Sequence, residues 1–182
     1  TNVKVLNLET QECTTLEGHT NAVLCVVFSP CGKFLASGGC DNKVKVWNLE
    51  TQECMMTLEG HTFWVNYVAF SLCGKFLASG AGDNKVKVWN LERRECMMTL
   101  EGHTSGVWCV AFSACGKFVA SGGNDKTVKL WNLETQECTT LQGHTDWVCC
   151  VTFSPCGKFL ASGAGGPDNK IKVWNLETQE CT

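Results

Sequence analysis

A Gly-His-Thr triplet occurs four times, at Gly18-His19-Thr20, Gly60-His61-Thr62, Gly102-His103-Thr104 and Gly143-His144-Thr145. The histidines are spaced by 42, 42 and 41 residues. Each triplet is followed in the same order by Phe-Ser, Cys-Gly-Lys-Phe, Ala-Ser-Gly, an Asp and Trp-Asn-Leu-Glu. A fixed period of this length marks stacked copies of one supersecondary unit, none of which buries its apolar surface alone. Residues 1–182 therefore read as one domain or part of one. The repeat units are 18–59, 60–101, 102–142 and 143–182, preceded by a partial unit, 1–17. Residues the copies share hold the fold together; residues that differ are free to recognise something.

Within one unit the residues read as strands. Ala22 to Phe28 is rich in Val and Leu and leaves through the turn Ser29-Pro30-Cys31-Gly32. Phe34 to Ser37 is a second short strand, ended by Gly38-Gly39. Lys43-Val44-Lys45-Val46-Trp47 alternates polar and apolar, the period of a half-exposed strand. Cys54 to Leu58 is a fourth. Four antiparallel strands joined by short polar turns make a small twisted sheet with two apolar faces, which radial packing of sheets around an axis covers. The expected class is all-β.

Composition narrows the function. The chain has 182 residues, 44% of them hydrophobic, which suits a soluble globular domain with a real core. The net charge of −3 gives no basic bias toward nucleic acid. No run of about 18 apolar residues exists, so no membrane span is indicated, and no secretory signal pattern opens the chain. The chain does not begin with Met and stops within a phrase at Glu180-Cys181-Thr182, so both ends are expected to be cut or processed. Most of the 14 cysteines follow the repeat: Cys31, Cys73, Cys115 and Cys156 in one turn, Cys13, Cys54, Cys96, Cys138 and Cys181 in another phrase. Equivalent positions in successive units lie farther apart than the roughly 7 Å between Cα atoms that a disulfide spans. No Cys-x-x-Cys pair exists to suggest zinc, and Cys149-Cys150, adjacent on a strand, are expected to face opposite ways. Free thiols in a reducing compartment follow as the expectation, and with them an intracellular, cytoplasmic location.

The residues also carry a family resemblance. Gly-His followed about 28 residues later by Trp-Asn resembles the signature of the WD40 repeat, with Asn in place of the commoner Asp after Trp. The resemblance covers nearly the whole chain in four copies that keep register. It implies a β-propeller whose blades are four-stranded antiparallel sheets. It also implies a buried hydrogen-bonded tetrad in each blade: His19, Ser37, Asp41 and Trp47; His61, Ser79, Asp83 and Trp89; His103, Ser121, Asp125 and Trp131; His144, Ser162, Asp168 and Trp174. The donor and acceptor inventory of these side chains suits a closed chain. A catalytic reading of Ser, His and Asp does not, because a nucleophile needs one exposed site rather than four identical ones. No glycine-rich phosphate loop exists either. No enzyme activity, cofactor or metal is expected.

The copies diverge just after Gly-His-Thr: Asn21-Ala22, Phe63-Trp64, Ser105-Gly106 and Asp146-Trp147, then Leu24, Asn66, Trp108 and Cys149. By the resemblance this stretch enters the innermost strand on the narrower face, at the rim of the central channel, where the family holds peptides. Asn21, Phe63, Trp64, Asn66, Trp108, Asp146 and Trp147 are therefore the candidate partner-binding residues, since aromatics flanked by polar groups are typical anchors. Filling of the channel or packing between blades is the competing role, above all for Trp108. Two residues inserted in Gly163–Pro167 lie on the same face, and Arg93-Arg94 replaces Thr-Gln in one outer turn.

The blades do not close by counting. Val3 to Asn7 is a third-strand phrase and Glu12 to Leu16 a fourth-strand phrase, while the last unit lacks a complete fourth strand. The front's outer strand is a candidate to complete the last blade. About four blades result, whereas the family usually has about seven. A ring completed by a second chain, as a homodimer sharing eight blades, or by further repeats is favoured over a four-bladed ring, because an open arc exposes sheet edges. The function expected is a non-catalytic scaffold that binds a protein or peptide. The alternative is a structural module that associates with copies of itself.

Overall fold

The computed structural model describes residues 2–178, 180 and 181. Seventeen strands and no helix are found among them. The front holds a two-stranded sheet, β1 (Val3–Leu6) and β2 (Cys13–Leu16). The first full blade is β3 (Val23–Phe28), β4 (Phe34–Gly39), β5 (Val44–Asn48) and β6 (Glu53–Leu58). The second is β7 (Val65–Phe70), β8 (Phe76–Ala81), β9 (Lys85–Asn90) and β10 (Glu95–Glu101). The third is β11 (Val107–Phe112), β12 (Phe118–Gly123), β13 (Val128–Asn132) and β14 (Cys138–Leu141). The last is a three-stranded sheet of β15 (Val148–Phe153), β16 (Phe159–Ala164) and β17 (Ile171–Asn175). Every pairing is antiparallel between sequence neighbours.

The copied phrases are turn chemistry. Gly32, Gly74, Gly116 and Gly157 all adopt φ of 70–72°, a conformation that only glycine takes without strain. The Ser two residues before each cysteine of that turn folds over it; Ser29 Oγ accepts from the Phe34 amide at 3.0 Å. At the opposite edge Asn42, Asn84, Lys126 and Asn169 take left-handed backbone after the tetrad Asp; three of the four are Asn, whose short polar side chain is tolerated there.

Blades dock through a valine set into a glycine notch. A Cβ on Gly38 would lie 2.6 Å from Val65 Cγ1, and one on Gly80 would lie 2.6 Å from Val107 Cγ1. Gly122 receives Val148 in the same way. Val65, Val107 and Val148 are fully buried. Only a residue without a side chain lets the strands approach this closely. The core is therefore a series of clusters, each spanning one junction, such as Val44, Val46, Val65, Val68, Leu77 and Trp89.

Both ends of the series are open. On β3, Leu24, Val26 and Phe28 are 44%, 52% and 55% exposed, and on β17 Ile171 is 79% exposed. The front's outer strand does not complete the last blade. β2 pairs with β1 in the register Val3↔Leu16 to Leu6↔Cys13, and Val3 and Leu16 pack on Leu35 and Trp47 of the first blade. A hairpin closes only the short Asn7–Glu12 loop, through Asn7 N–H to Glu12 O at 2.9 Å. Pairing with β17 would close nearly the whole chain, at a larger entropy cost. The outer pairing that the last blade does show is Trp174 with Cys181.

The 41-residue spacing also has a cause. In β6 and β10 an extra residue interrupts the register, at Met55 and Met97, whereas β14 pairs without one. The third unit is shorter by this bulge residue.

Candidate functional site

Each blade holds its polar side chains in one chain of hydrogen bonds. His Nδ1 lies 2.6–2.8 Å from the Asp carboxylate in all four. His Nε2 lies 2.7–2.8 Å from the Ser hydroxyl. The Trp indole N–H donates to that hydroxyl at 2.8–2.9 Å. Asp accepts, so Nδ1 carries the proton, Nε2 is free to accept, and the Ser O–H donates to it. The Asp carboxylate also accepts from the backbone amide of the Thr after His, at 3.0 Å in the first three blades, which ties the rim loop to the tetrad. No buried side-chain nitrogen or oxygen among the described residues lacks a partner.

The tetrads make the fold acid-sensitive. Burial opposes ionisation of Asp41, Asp83 and Asp125, yet the histidine beside each and the backbone amides hold the carboxyls below the ordinary 3.8. Burial pushes His103 below the ordinary 6.5 against the pull of Asp125. In both cases the unfolded chain binds more protons than the folded one, so stability falls as pH falls. The melting temperature should hold above pH 6.5, decline below it as His103 is forced to protonate, and fall again below pH 3.8. A profile flat from neutrality down to pH 4 would remove His103 from the account.

The divergent residues gather at the edge where the first strand of each blade begins. The loop residue before each first strand accepts a backbone bond from its own blade's second turn: Cys40 N–H to Ala22 O at 2.7 Å, Gly82 to Trp64 at 2.9 Å, Asn124 to Gly106 at 2.9 Å and Gly165 to Trp147 at 3.0 Å. On this fixed rim stand two aromatic pairs. Phe63 and Trp64 have ring centroids 5.0 Å apart; both are 48% exposed. Trp108 and Trp147 meet edge to face at 5.4 Å across the junction of the last two blades. Beneath them the blades approach closely, so that a Cβ on Gly106 would come 3.4 Å from Gly82 Cα.

The individual placements differ. Phe63 stands against Gly82, and Trp147 against Gly165, where a Cβ would meet the indole at 2.6 Å. Trp108 donates its indole N–H to Asn124 Oδ1 at 2.6 Å and stays 39% exposed. Asn66 spends its amide on Val107 O of the next blade at 2.9 Å, a junction bond. Asn21 is exposed on the first blade, and its carboxamide accepts from Ala22 N–H. Asp146 accepts from Trp147 N–H at 2.7 Å and packs against Gly166 of the inserted loop.

The sequence reading missed a bulge. Leu24, Asn66, Trp108 and Cys149 are each the extra residue where the first strand slips against the second. A bulge re-aims its side chain, which is how a strand residue such as Trp108 reaches the rim. It also corrects the orientation expected of the adjacent cysteines. Cys149 and Cys150 both direct their thiols at Gly163 O, at 3.3 and 3.9 Å.

Repeated four-stranded blades, each locked by a His-Ser-Asp-Trp tetrad and docked on the next, define β-propeller architecture whose ring is not closed among the described residues. The repeat pattern described as "WD domain, G-beta repeat" matches residues 10–48, 52–90, 94–132 and 135–175, and the chain belongs to this WD40 family. It is 44% identical over 43 residues to "WD repeat-containing protein AAC3" of Dictyostelium discoideum, covering 24% of this chain and 9% of that protein. It is 54% identical over 43 residues to "Notchless protein homolog" of Arabidopsis thaliana, covering the same shares, 24% and 9%. A third relative, "WD repeat and HMG-box DNA-binding protein 1" of Xenopus laevis, is 44% identical over 54 residues, covering 29% of this chain and 5% of that protein. The matched segment is thus a small part of each relative's length. No helix among the described residues is long and apolar enough to cross a membrane.

Proposed function

We propose that the chain is a non-catalytic scaffold that captures a protein or peptide on the rim bearing Phe63, Trp64, Trp108, Asp146 and Trp147. The observation that carries this is the pairing of repeat-specific aromatics on one rim, Phe63 with Trp64 and Trp108 with Trp147. Half-exposed rings already held against one another offer an apolar partner side chain contact area at little ordering cost. Asn21 lies at the margin, and Asn66 serves by holding the junction below. A protein partner fits better than nucleic acid: the net charge is −3, and Lys43, Lys75, Lys85 and Lys117 are already paired with glutamates. The DNA binding in the name of the Xenopus relative is that protein's own. Free thiols at the 13 cysteines from Cys13 to Cys156 favour a reducing, intracellular setting.

Trp64→Ala and Trp147→Ala should each weaken partner binding by about 2 kcal/mol, roughly thirtyfold, with unchanged melting. The measurement is a quantitative native-lysate pulldown with each variant. Equal recovery of every bound protein by wild type and both variants would sink the rim assignment.

One observation favours the alternative, self-assembly into a shared ring. The Gly163 notch has no valine in it, and Cys150 Sγ is the one atom near it, while Val23 at the other end is only half-buried. A second copy offers each the partner found at every internal junction. That reading predicts a dimer mass by light scattering. It also predicts that polar substitutions within Val3–Leu8 and Ile171–Leu176 abolish the dimer; a monomer at high concentration refutes it.

A further inference from the structure

A cavity of about 510 Å³ opens between the first two blades, away from the aromatic rim, on the side of the Cys-Gly-Lys turns. Three features that the units do not all share meet there. The first is the bulge of β6, which puts Met55 and Met56 on one wall; β10 repeats it at Met97, and the third blade has no such residue. The second is Leu72, where the other units carry Pro30, Ala114 and Pro155. The third is Arg94, where the corresponding turns carry Gln11, Gln52 and Gln136. Phe34 and Phe70 complete an apolar interior.

The charge at the mouth is specific. Lys75 is held by Glu92 at 3.2 Å. Arg93, beside Arg94, reaches Glu95 at 3.6 Å. Arg94 is exposed on left-handed backbone, φ 56°, and makes no ion pair or hydrogen bond to any described residue. A cation without a counter-ion at the edge of a methionine- and phenylalanine-lined space of this size is matched by a small molecule with an apolar body and one anionic end.

We propose that this cleft binds a small amphiphilic carboxylate, its hydrocarbon body between Phe34, Phe70 and the two methionines, its carboxylate on Arg94. The site is separate from the rim, so it stands or falls independently of the partner-binding reading.

The repeat supplies its own controls. Cys31 and Cys73 line the cavity, whereas Cys115 and Cys156 occupy the same turn in the other two blades and do not. Each of the four thiols lies 3.3 Å from the hydroxyl of the Ser two residues before it, a hydrogen bond that holds each below the ordinary thiol range in the same way. Site-resolved alkylation by iodoacetamide, read by mass spectrometry with increasing decanoate, is the test. Saturable protection of Cys31 and Cys73, with Cys115 and Cys156 unaffected, is expected. Arg94→Gln restores the residue of the other turns, so it should fold normally. It should weaken the protection about tenfold, as should replacing decanoate by decanol, since a charge-assisted bond is lost. Uniform protection of all four thiols, no protection, or indifference to Arg94→Gln would each overturn the proposal. So would a cleft that decanoate leaves reactive but that a bound protein partner shields.

Discussion

Trp89→Ala is expected to lose about 3–5 kcal/mol of stability, because it empties a fully packed position. Trp89 is 2% exposed and sits at the junction of the first two blades, against Val46, Val65 and Leu77. Its indole N–H also donates to Ser79 Oγ at 2.8 Å. Trp89→Phe separates the two contributions: it keeps most of the apolar bulk and deletes the donor, at about 1–3 kcal/mol. At about 2–4 °C per kcal/mol for a chain of this size, thermal melting resolves both. Asp83→Ala tests the same chain from its other end, leaving His61 Nδ1–H without its acceptor. If Trp89→Phe and Asp83→Ala both melted like the wild type, the tetrad would be an ornament of packing rather than a source of stability.

Gly80→Val should be comparably damaging, at about 3 kcal/mol or more, since overpacking of a fixed junction exceeds the usual cost of one added methylene. A Cβ there would already lie 2.6 Å from Val107 Cγ1 and 3.0 Å from Val110 Cγ1, and both valines are buried. β8 cannot retreat, being paired on both sides. Gly163→Ala offers the contrast, because only the Cys150 thiol, the tip of a short side chain, stands in its way. The midpoint of urea unfolding should fall far more for Gly80→Ala than for Gly163→Ala. Equal shifts would mean that the notch does not set how closely blades approach.

Strand positions were legible because each side-chain period leaves its mark in the chain. Lys43-Val44-Lys45-Val46-Trp47 alternates, and the strand observed, Val44–Asn48, lies within a residue of that reading, although Lys45 is buried with its neighbours rather than on an exposed face. Positive-φ glycines in the Cys-Gly-Lys turn announced where hairpins reverse. The bulges were not legible, since an inserted residue such as Met55 or Trp108 looks like any other until two strands are laid side by side. The error over Cys149 and Cys150 followed from this, as did the blank in the reading of Met55. The pairing of β2 with β1 was hidden for another reason: two strand phrases say nothing about which partner is cheaper to reach. At the rim, the divergent positions stood out by comparing copies, but which aromatics touch depends on the blade junctions. The cleft by Arg94 draws on five separate segments of chain, and no single stretch carries it.

The uniform valine-and-glycine joint bears on how such a chain can change over generations. Val65, Val107 and Val148 make one and the same contact, so any unit fits behind any other. A duplication or deletion of whole units by unequal recombination therefore produces a junction that already works, and selection need not repair it. What recombination cannot copy into usefulness is a feature assembled from neighbouring units that differ, such as Trp108 against Trp147. Gain and loss of units is thus cheap for the framework and costly for the proposed rim. In a lineage that exchanges units freely, the order of the copies, more than their number, is what selection would preserve.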